Sequence, residues 1–430
     1  MERLSQVESS KKNQKRALLA GSAANVLEWY DFALYGYFAP VFAQLFFPMD
    51  DRLTAQISAF GVFAAGYLMR PLGAVIFGHV GDKLGRKNAL MLSAILMAIP
   101  TTLIGVLPTH AQVGVIAPVL LTILRLIQGI SVGGEFTGSI SFIVEHAPQS
   151  RRGFFGSFTT FSLLGGILIG SGMGAIINSV LGYDDVLNWG WRIPFFFGIL
   201  LGVVALYLRT QIDESPIFKD LEGKGKVSRR PVLEALTQNW KEILTTIMAT
   251  WGGSVTFYMI FVYMTTYLSS EINLPQSTAL SINTISMVIM MSVVPLMGAI
   301  SDRIGRKPVL AAGSLLIAVS SYPMFLLILP GNTLFILGAQ AVFALGLAMV
   351  FAPFGAMLVE LFPSRVRMTA MSLGYNVGFS VFGGTAPLVS TYLIRETGNI
   401  LAPSIYLGLS SLISLLVFLR IRERYRDALR

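Results

Sequence analysis

Cysteine is absent from this 430-residue chain, and charge is scarce: Asp, Glu, Lys and Arg together make up 13% of it. Without a thiol there is no disulfide, no thiolate metal site and no cysteine nucleophile. With roughly half the charge usual in soluble proteins, the chain cannot cover several ordinary domains with a water-facing surface. A soluble multidomain enzyme, a disordered scaffold and a disulfide-stapled secreted domain are therefore excluded. Also missing are a P-loop, an HExxH pair and any nucleophile–base motif, so enzyme chemistry has no support. His79, His110 and His146 are scattered and lack metal-ligand spacing. No metal or other cofactor is expected.

Apolar residues are abundant, at 54% of the chain, and they come in long runs. A membrane-crossing helix needs about 20 mostly apolar residues. Twelve stretches qualify, near 17–47, 54–78, 88–107, 113–145, 154–180, 191–209, 242–269, 277–300, 308–330, 332–361, 367–393 and 402–420. The sequence therefore predicts an all-α polytopic membrane protein with twelve transmembrane helices. It divides into an N-tail 1–16, a six-helix bundle 17–209, a linker 210–241, a second six-helix bundle 242–420 and a C-tail 421–430. The first stretch follows a basic start, as a signal peptide would. It is too long for one and holds Glu28 and Asp31, so it reads as an uncleaved span.

Threading the spans from a cytoplasmic N-terminus puts 27 of the 32 Lys and Arg on the inner side, and only Arg52, Arg192 and Arg395 outside. This bias predicts both termini in the cytoplasm. The net charge of +9 is thus mostly topology, and its dispersal over separate loops speaks against a nucleic-acid partner. No Asn-x-Ser/Thr acceptor occurs, which suits a bacterial inner membrane. The oligomeric state is not legible.

The chain repeats itself. Gly78-His-Val-Gly-Asp82-Lys-Leu-Gly85-Arg86-Lys87 follows the second stretch, and Gly298-Ala-Ile-Ser-Asp302-Arg-Ile-Gly305-Arg306-Lys307 follows the eighth, 220 residues on. A second pair, Glu145-His-Ala-Pro148-Gln-Ser-Arg-Arg152 and Glu360-Leu-Phe-Pro363-Ser-Arg-Val-Arg367, recurs at an offset of 215. Two six-helix halves joined by the linker account for both repeats.

On these loops and the 6+6 layout the chain resembles the major facilitator superfamily. Within it, Asn25-Val-Leu-Glu28-Trp-Tyr-Asp31-Phe, Leu68-Met-Arg70-Pro71, Arg125-Leu-Ile-Gln128-Gly129 through Gly133-Gly134-Glu135, and Trp189-Gly-Trp191-Arg192-Ile-Pro194 resemble the metabolite:proton symporter family. Members of that family carry proline and betaine, α-ketoglutarate, citrate or shikimate. The resemblance implies a secondary transporter with a small-molecule substrate, protons and the lipid bilayer as its partners. It also implies that the clusters Asp82, Arg86, Glu145, Arg152 and Asp302, Arg306, Glu360, Arg367 latch an inner gate. Gly166, Gly170 and Gly174 form a small-residue stripe on the fifth span, which lacks the Gly-Pro pair of the superfamily's drug antiporters. That departure speaks against export.

Five ionisable residues lie deep in spans of the first half: Glu28, Asp31, Arg70, Arg125 and Glu135. A charge at the bilayer centre costs at least about 2.5–3.5 kcal/mol, so such groups pair or face water. Glu28 and Asp31 share a helix face, and two carboxylates that close favour protonation of one. Either could carry a coupling proton. Glu135 is a second proton site or the partner of an Arg from another span. Arg70 and Arg125 have the fork geometry for a solute carboxylate, with permanent pairing of Arg125 to Glu135 or Glu28 as the alternative. Gln128, Tyr258 and Asn376 are further candidate solute contacts, and Trp29, Tyr30 and Tyr35 could form an aromatic cage. The leading expectation is proton-driven import. An uncoupled facilitator shares the fold, and a solute sensor would need more than the short tail Arg420 to Arg430.

Overall fold

In hydrocarbon every backbone N–H and C=O must be satisfied within the chain, which leaves continuous helices as the economical solution for long apolar runs. The computed structural model describes residues 2–47 and 52–429, with side chains described except at 2–12, 24, 52–57, 60 and 63. Arg3, Lys11, Lys12, Arg52 and Arg430, which enter the charge bias, lie outside the described side chains. The helices are α1 (Glu2–Phe46), α2 (Arg52–Leu68), α3 (Arg70–Lys83), α4 (Arg86–Val106), α5 (Ile116–His146), α6 (Arg152–Val180) and α7 (Arg192–Thr210). Two short linker helices, α8 (Pro216–Gly223) and α9 (Pro231–Gln238), follow. Then come α10 (Trp240–Tyr258), α11 (Met264–Ser270), α12 (Gln276–Ile304), α13 (Arg306–Ile328), α14 (Thr333–Leu361), α15 (Arg367–Gly378), α16 (Gly384–Thr397) and α17 (Ala402–Arg420).

Ten helical stretches among the described residues are long and apolar enough to cross a membrane. The first two expected spans correspond to α1 and to the pair α2–α3. The second is divided at Met69, just before Pro71. Proline cannot donate the helical hydrogen bond at that turn, and Arg70 therefore opens the new segment. Two other spans contain single π-helical turns, Met259–Tyr263 between α10 and α11 and Phe379–Gly383 between α15 and α16.

The chain forms two compact units. One comprises Met1–His146 with Ser162–Val232, and the other Ala147–Phe161 with Leu233–Arg430. The expected linker 210–241 thus divides at Val232, and the start of α6 groups with the second unit.

In the first unit α5 packs against α1, α2, α3 and α4, while α7 packs against α1 and α4. Glycine makes the α5 seam tight. A Cβ added at Gly129 would sit 1.8 Å from the Gly66 carbonyl oxygen, and one at Gly133 would sit 2.1 Å from that of Arg70. The α6 stripe presses on α1 in the same way: a Cβ at Gly166 or Gly170 would meet the carbonyls of Val26 or Tyr30 at 2.5 and 2.6 Å. In the second unit α14 packs against α12 and α13, and α10 against α15 and α17.

Candidate functional site

Close approach of α2–α3 to α5 brings the intramembrane charges of the first unit together. Glu28 and Asp31 on α1, Tyr67 and Arg70 at the α2–α3 break, and Arg125 and Gln128 on α5 line one small cavity of about 40 Å³. Arg125 Nη1 lies 2.5 Å from Asp31 Oδ2, and Gln128 Nε2 donates to Asp31 Oδ1 at 2.9 Å. Arg125 Nη1 also donates to Gln128 Oε1 at 2.8 Å, and Gln128 Nε2 to Thr101 Oγ1 at 2.8 Å. The guanidinium carbon of Arg125 stands 3.7 Å from the centre of the Tyr35 ring. Arg125 therefore pairs with Asp31, and with neither Glu135 nor Glu28. Its charge is held by a carboxylate, an amide and an aromatic face.

Arg70 is fully buried, donates to the Tyr67 hydroxyl at 2.6 Å and lies 4.7 Å from that ring's centre. Glu28 differs from Asp31. It is 2% exposed, and neither carboxyl oxygen has a hydrogen-bond partner among the described residues.

Of the two alternatives open for Glu135, the structure realises pairing with an Arg from another span. Arg209 of α7 contacts both of its oxygens, and Ser93 and Ser139 donate to it as well. Sequence reasoning missed Arg209 because it ends an apolar run and was grouped with the cytoplasmic charges, whereas its side chain is buried.

Among the aromatics, the Tyr35 hydroxyl donates to the Ala59 carbonyl at 2.9 Å and that of Tyr30 to the Pro194 carbonyl at 2.7 Å. Both rings belong to one apolar cluster. Trp29 is buried and packs on Phe32, at 5.2 Å between ring centres. In the second unit, Tyr258 and Asn376 are both buried and stand just before the two π turns. Asn376 Nδ2 donates to the Ser372 carbonyl at 2.9 Å.

The duplicated loops form matching clusters. In the first unit Arg86 lies 3.2 Å from Asp82 and 3.6 Å from Glu145. In the second, Arg306 lies 2.7 Å from Asp302 and 3.0 Å from Glu360, and Arg152 lies 3.8 Å from Glu360. Asp302 also accepts from the backbone amides of Gly153 and Phe154 at 2.8 Å each. Buried Arg367 donates from Nε to the Phe362 carbonyl at 3.3 Å. The lysines of the motif take no part in these ion pairs; Lys87 Nζ donates to the Ile212 carbonyl at 2.5 Å.

Gly85 and Gly305, at φ of 105° and 103°, precede α4 and α13. Each turn admits a carboxylate at the helix start, where free amides and the helix dipole favour an anion. Glu214 accepts from the amides of Arg86 and Lys87 at 3.1 and 3.0 Å, and Glu423 from that of Lys307 at 2.8 Å. Burial pushes the Glu214 carboxyl up from its ordinary 4.5, opposed by the Ser215 and Lys87 amides and the Arg86 cation, and Glu145 adds to the rise. Glu214 and Glu423 were not anticipated. They lie 209 residues apart, off the 215–220 offset of the other repeats.

Comparison with known proteins agrees with this architecture. Residues 17–238 match the family model "Sugar (and other) transporter", and residues 254–430 match "Major Facilitator Superfamily". The chain is 34% identical over 418 residues to the proline/betaine transporter of Escherichia coli K12, covering 95% of this chain and 83% of that one. It is 35% identical over 418 residues, at the same coverage, to the glycine betaine/proline/ectoine/pipecolic acid transporter OusA of Dickeya dadantii. Among solved structures, the proton:xylose symporter XylE bound to a bromodeoxyglucose superposes with a TM-score of 0.83 at 18% identity, covering 98% of both chains. A partially occluded inward-open form of XylE from E. coli gives 0.71 at 20%, covering 96% of this chain and 98% of that one.

Proposed function

This chain belongs to the major facilitator superfamily, and from that premise we propose that it imports a small zwitterion of the proline or betaine kind together with protons. The observation that supports this reading best is the cavity of the first unit, which holds two carboxyl side chains and two guanidinium groups. A balanced set of charges in a water-poor cleft suits a solute that carries both signs itself. Arg70 is the proposed partner of the solute carboxylate. Asp31, Arg125, Gln128 and Tyr35 form the rigid wall beside it, and Trp29 backs that wall.

On the second unit, Tyr258 and Asn376 are the proposed solute contacts. The Asp82–Arg86–Glu145 and Asp302–Arg306–Glu360 clusters, with Arg152 and Arg367, are proposed as latches of alternating access. The coupling proton resides on the α1 carboxyl pair. One proton moving down 100 mV supplies about 2.3 kcal/mol, enough for roughly 50-fold accumulation of the solute. Both termini are assigned to the cytoplasm on the positive-inside bias.

The test is a proteoliposome screen of betaine, proline, α-ketoglutarate, citrate and shikimate, with and without an imposed pH gradient. Betaine or proline is expected to concentrate inside only when the gradient is present. Equilibration without concentration would establish a facilitator instead. Accumulation of a di- or tricarboxylate alone would overturn the zwitterion assignment.

A further inference from the structure

The linker ends in a short helix whose outer face is apolar. Across α9 and the start of α10, Leu233, Leu236, Trp240 and Leu244 follow one another at steps of three, four and four, the spacing that keeps side chains on one side of a helix. All four are 50% to 54% exposed. Asn239 stands between the two helices. Its amide donates to the Ala235 carbonyl and its carbonyl accepts from the Ile243 amide, each at 3.0 Å, so helical hydrogen bonding runs into the junction from both sides. The other flank of α9 is fixed to the protein. Pro231 and Ala235 are buried, and Glu234 pairs with Arg365 at 3.3 Å. A turn of about 100° per residue puts Leu233 and Leu236 on the side away from them.

We propose that this face is a membrane anchor. Helix α9 lies in the interface of the leaflet beside the linker, with Leu233 and Leu236 at the acyl boundary and the neighbouring cations on anionic headgroups. Two observations choose lipid over a soluble protein. The first is continuity. Trp240 and Leu244 belong to a stretch long and apolar enough to cross a membrane, and the α9 leucines extend their exposed surface in the same register. Tryptophan is the residue favoured where a span meets the headgroups. The Lys241 ammonium lies 5.7 Å from the centre of the Trp240 ring, which keeps a cation at the level of that apolar body. A soluble partner has access to Leu233 and Leu236 but not to Leu244 on the membrane-spanning helix.

The second is charge. Lys219 and Lys224 are paired with Asp213 and Asp220. Lys226, Arg229 and Arg230, which lead into α9, are exposed and enter no ion pair among the described residues. Cations without a protein carboxylate, next to an apolar helix face and a span, are the pattern of a helix resting on an anionic lipid surface.

The experiment exploits the absence of native thiols, so that a single introduced cysteine reports its own surroundings. Leu236→Cys and Gln238→Cys are both at exposed positions, about 200° apart around α9. Each full-length variant is labelled with a nitrobenzoxadiazole fluorophore and reconstituted into phosphatidylcholine vesicles with or without phosphatidylglycerol. A nitroxide carried on the acyl chain near the headgroup should quench the label at 236, while aqueous iodide should not; at 238 the pattern should reverse. Lipid quenching at 236 should strengthen with phosphatidylglycerol and decline as salt rises. Arg229→Gln combined with Arg230→Gln should remove that dependence. Equal iodide quenching at both positions would overturn the anchor and leave the face to a soluble partner. Lipid quenching that ignores phosphatidylglycerol would overturn the role of the cations. Leu233→Cys, on the same face, should repeat the Leu236→Cys result, and disagreement between the two would also defeat the proposal.

Discussion

Arg125 illustrates how much one buried side chain can be asked to do. A single guanidinium nitrogen serves Asp31 and Gln128 while the group's face lies on Tyr35. Lysine keeps the charge but offers neither the planar fork nor the stacking surface. Arg125→Lys is therefore expected to lower solute uptake at least about tenfold, equivalent to about 1.4 kcal/mol, with membrane insertion intact. Uptake normalised to the amount of inserted carrier checks this, and wild-type transport would remove Arg125 from the working site. Glu214 gives a pH prediction at the same scale. Its raised value means the folded chain binds that proton more tightly than the unfolded chain does. Stability from this group is thus complete below about pH 4.5 and is lost as pH rises through the raised value. The apparent melting temperature of the wild type should fall relative to Glu214→Gln as pH climbs from 4.5; parallel curves would contradict the assignment.

At the scale of the element, glycine decides how near the helices come. On α6 a Cβ at Gly170 would meet the Tyr30 carbonyl at 2.6 Å, while one at Gly172 would find nothing within 4 Å. Gly170→Ala should therefore cost about 1–3 kcal/mol through overpacking against α1. Gly172→Ala should be neutral or slightly stabilising, since alanine favours the helix. Thermal unfolding of the detergent-purified variants distinguishes the two, and equal melting temperatures would mean that the stripe is not a packing surface. The break in the second span belongs to this scale too. A proline at 71 disfavours a continuous helix there, but that Arg70 would open the new segment and face the cavity depended on how α3 turns after Met69.

For the whole molecule, the positive-inside bias and the missing cysteines combine into a direct test of topology. Lys226 in the linker and Ala111 between α4 and α5 are both exposed. In a chain with no native thiol, Ala111→Cys should react with a membrane-impermeant maleimide added to intact cells, and Lys226→Cys only after permeabilisation. The reverse pattern would invert the orientation. The two units also build their charge clusters from duplicated sequence, so breaking one should resemble breaking the other. Removing the cation with Arg306→Gln leaves Glu360, among the described residues, with Arg152 as its ion-pair partner at 3.8 Å. With Arg152 still near, the expected loss is smaller than that of an uncompensated buried charge, on the order of 1–3 kcal/mol, read as reduced thermal stability.

The sequence by itself determined the all-helical membrane class, the two-fold repeat and the presence of Glu28, Asp31, Arg70, Arg125 and Glu135 inside spans. These are properties of a single helix, carried by hydropathy, spacing and charge count along the chain. Only the tertiary structure decided that Asp31 takes Arg125, that Glu135 takes Arg209, and that Glu28 keeps both oxygens without hydrogen-bond partners among the described residues. Pairing depends on the rotation of each helix about its axis and on how near its neighbour lies. Both follow from carbonyl-to-glycine contacts between segments some sixty or more residues apart in sequence, such as Gly66 with Gly129.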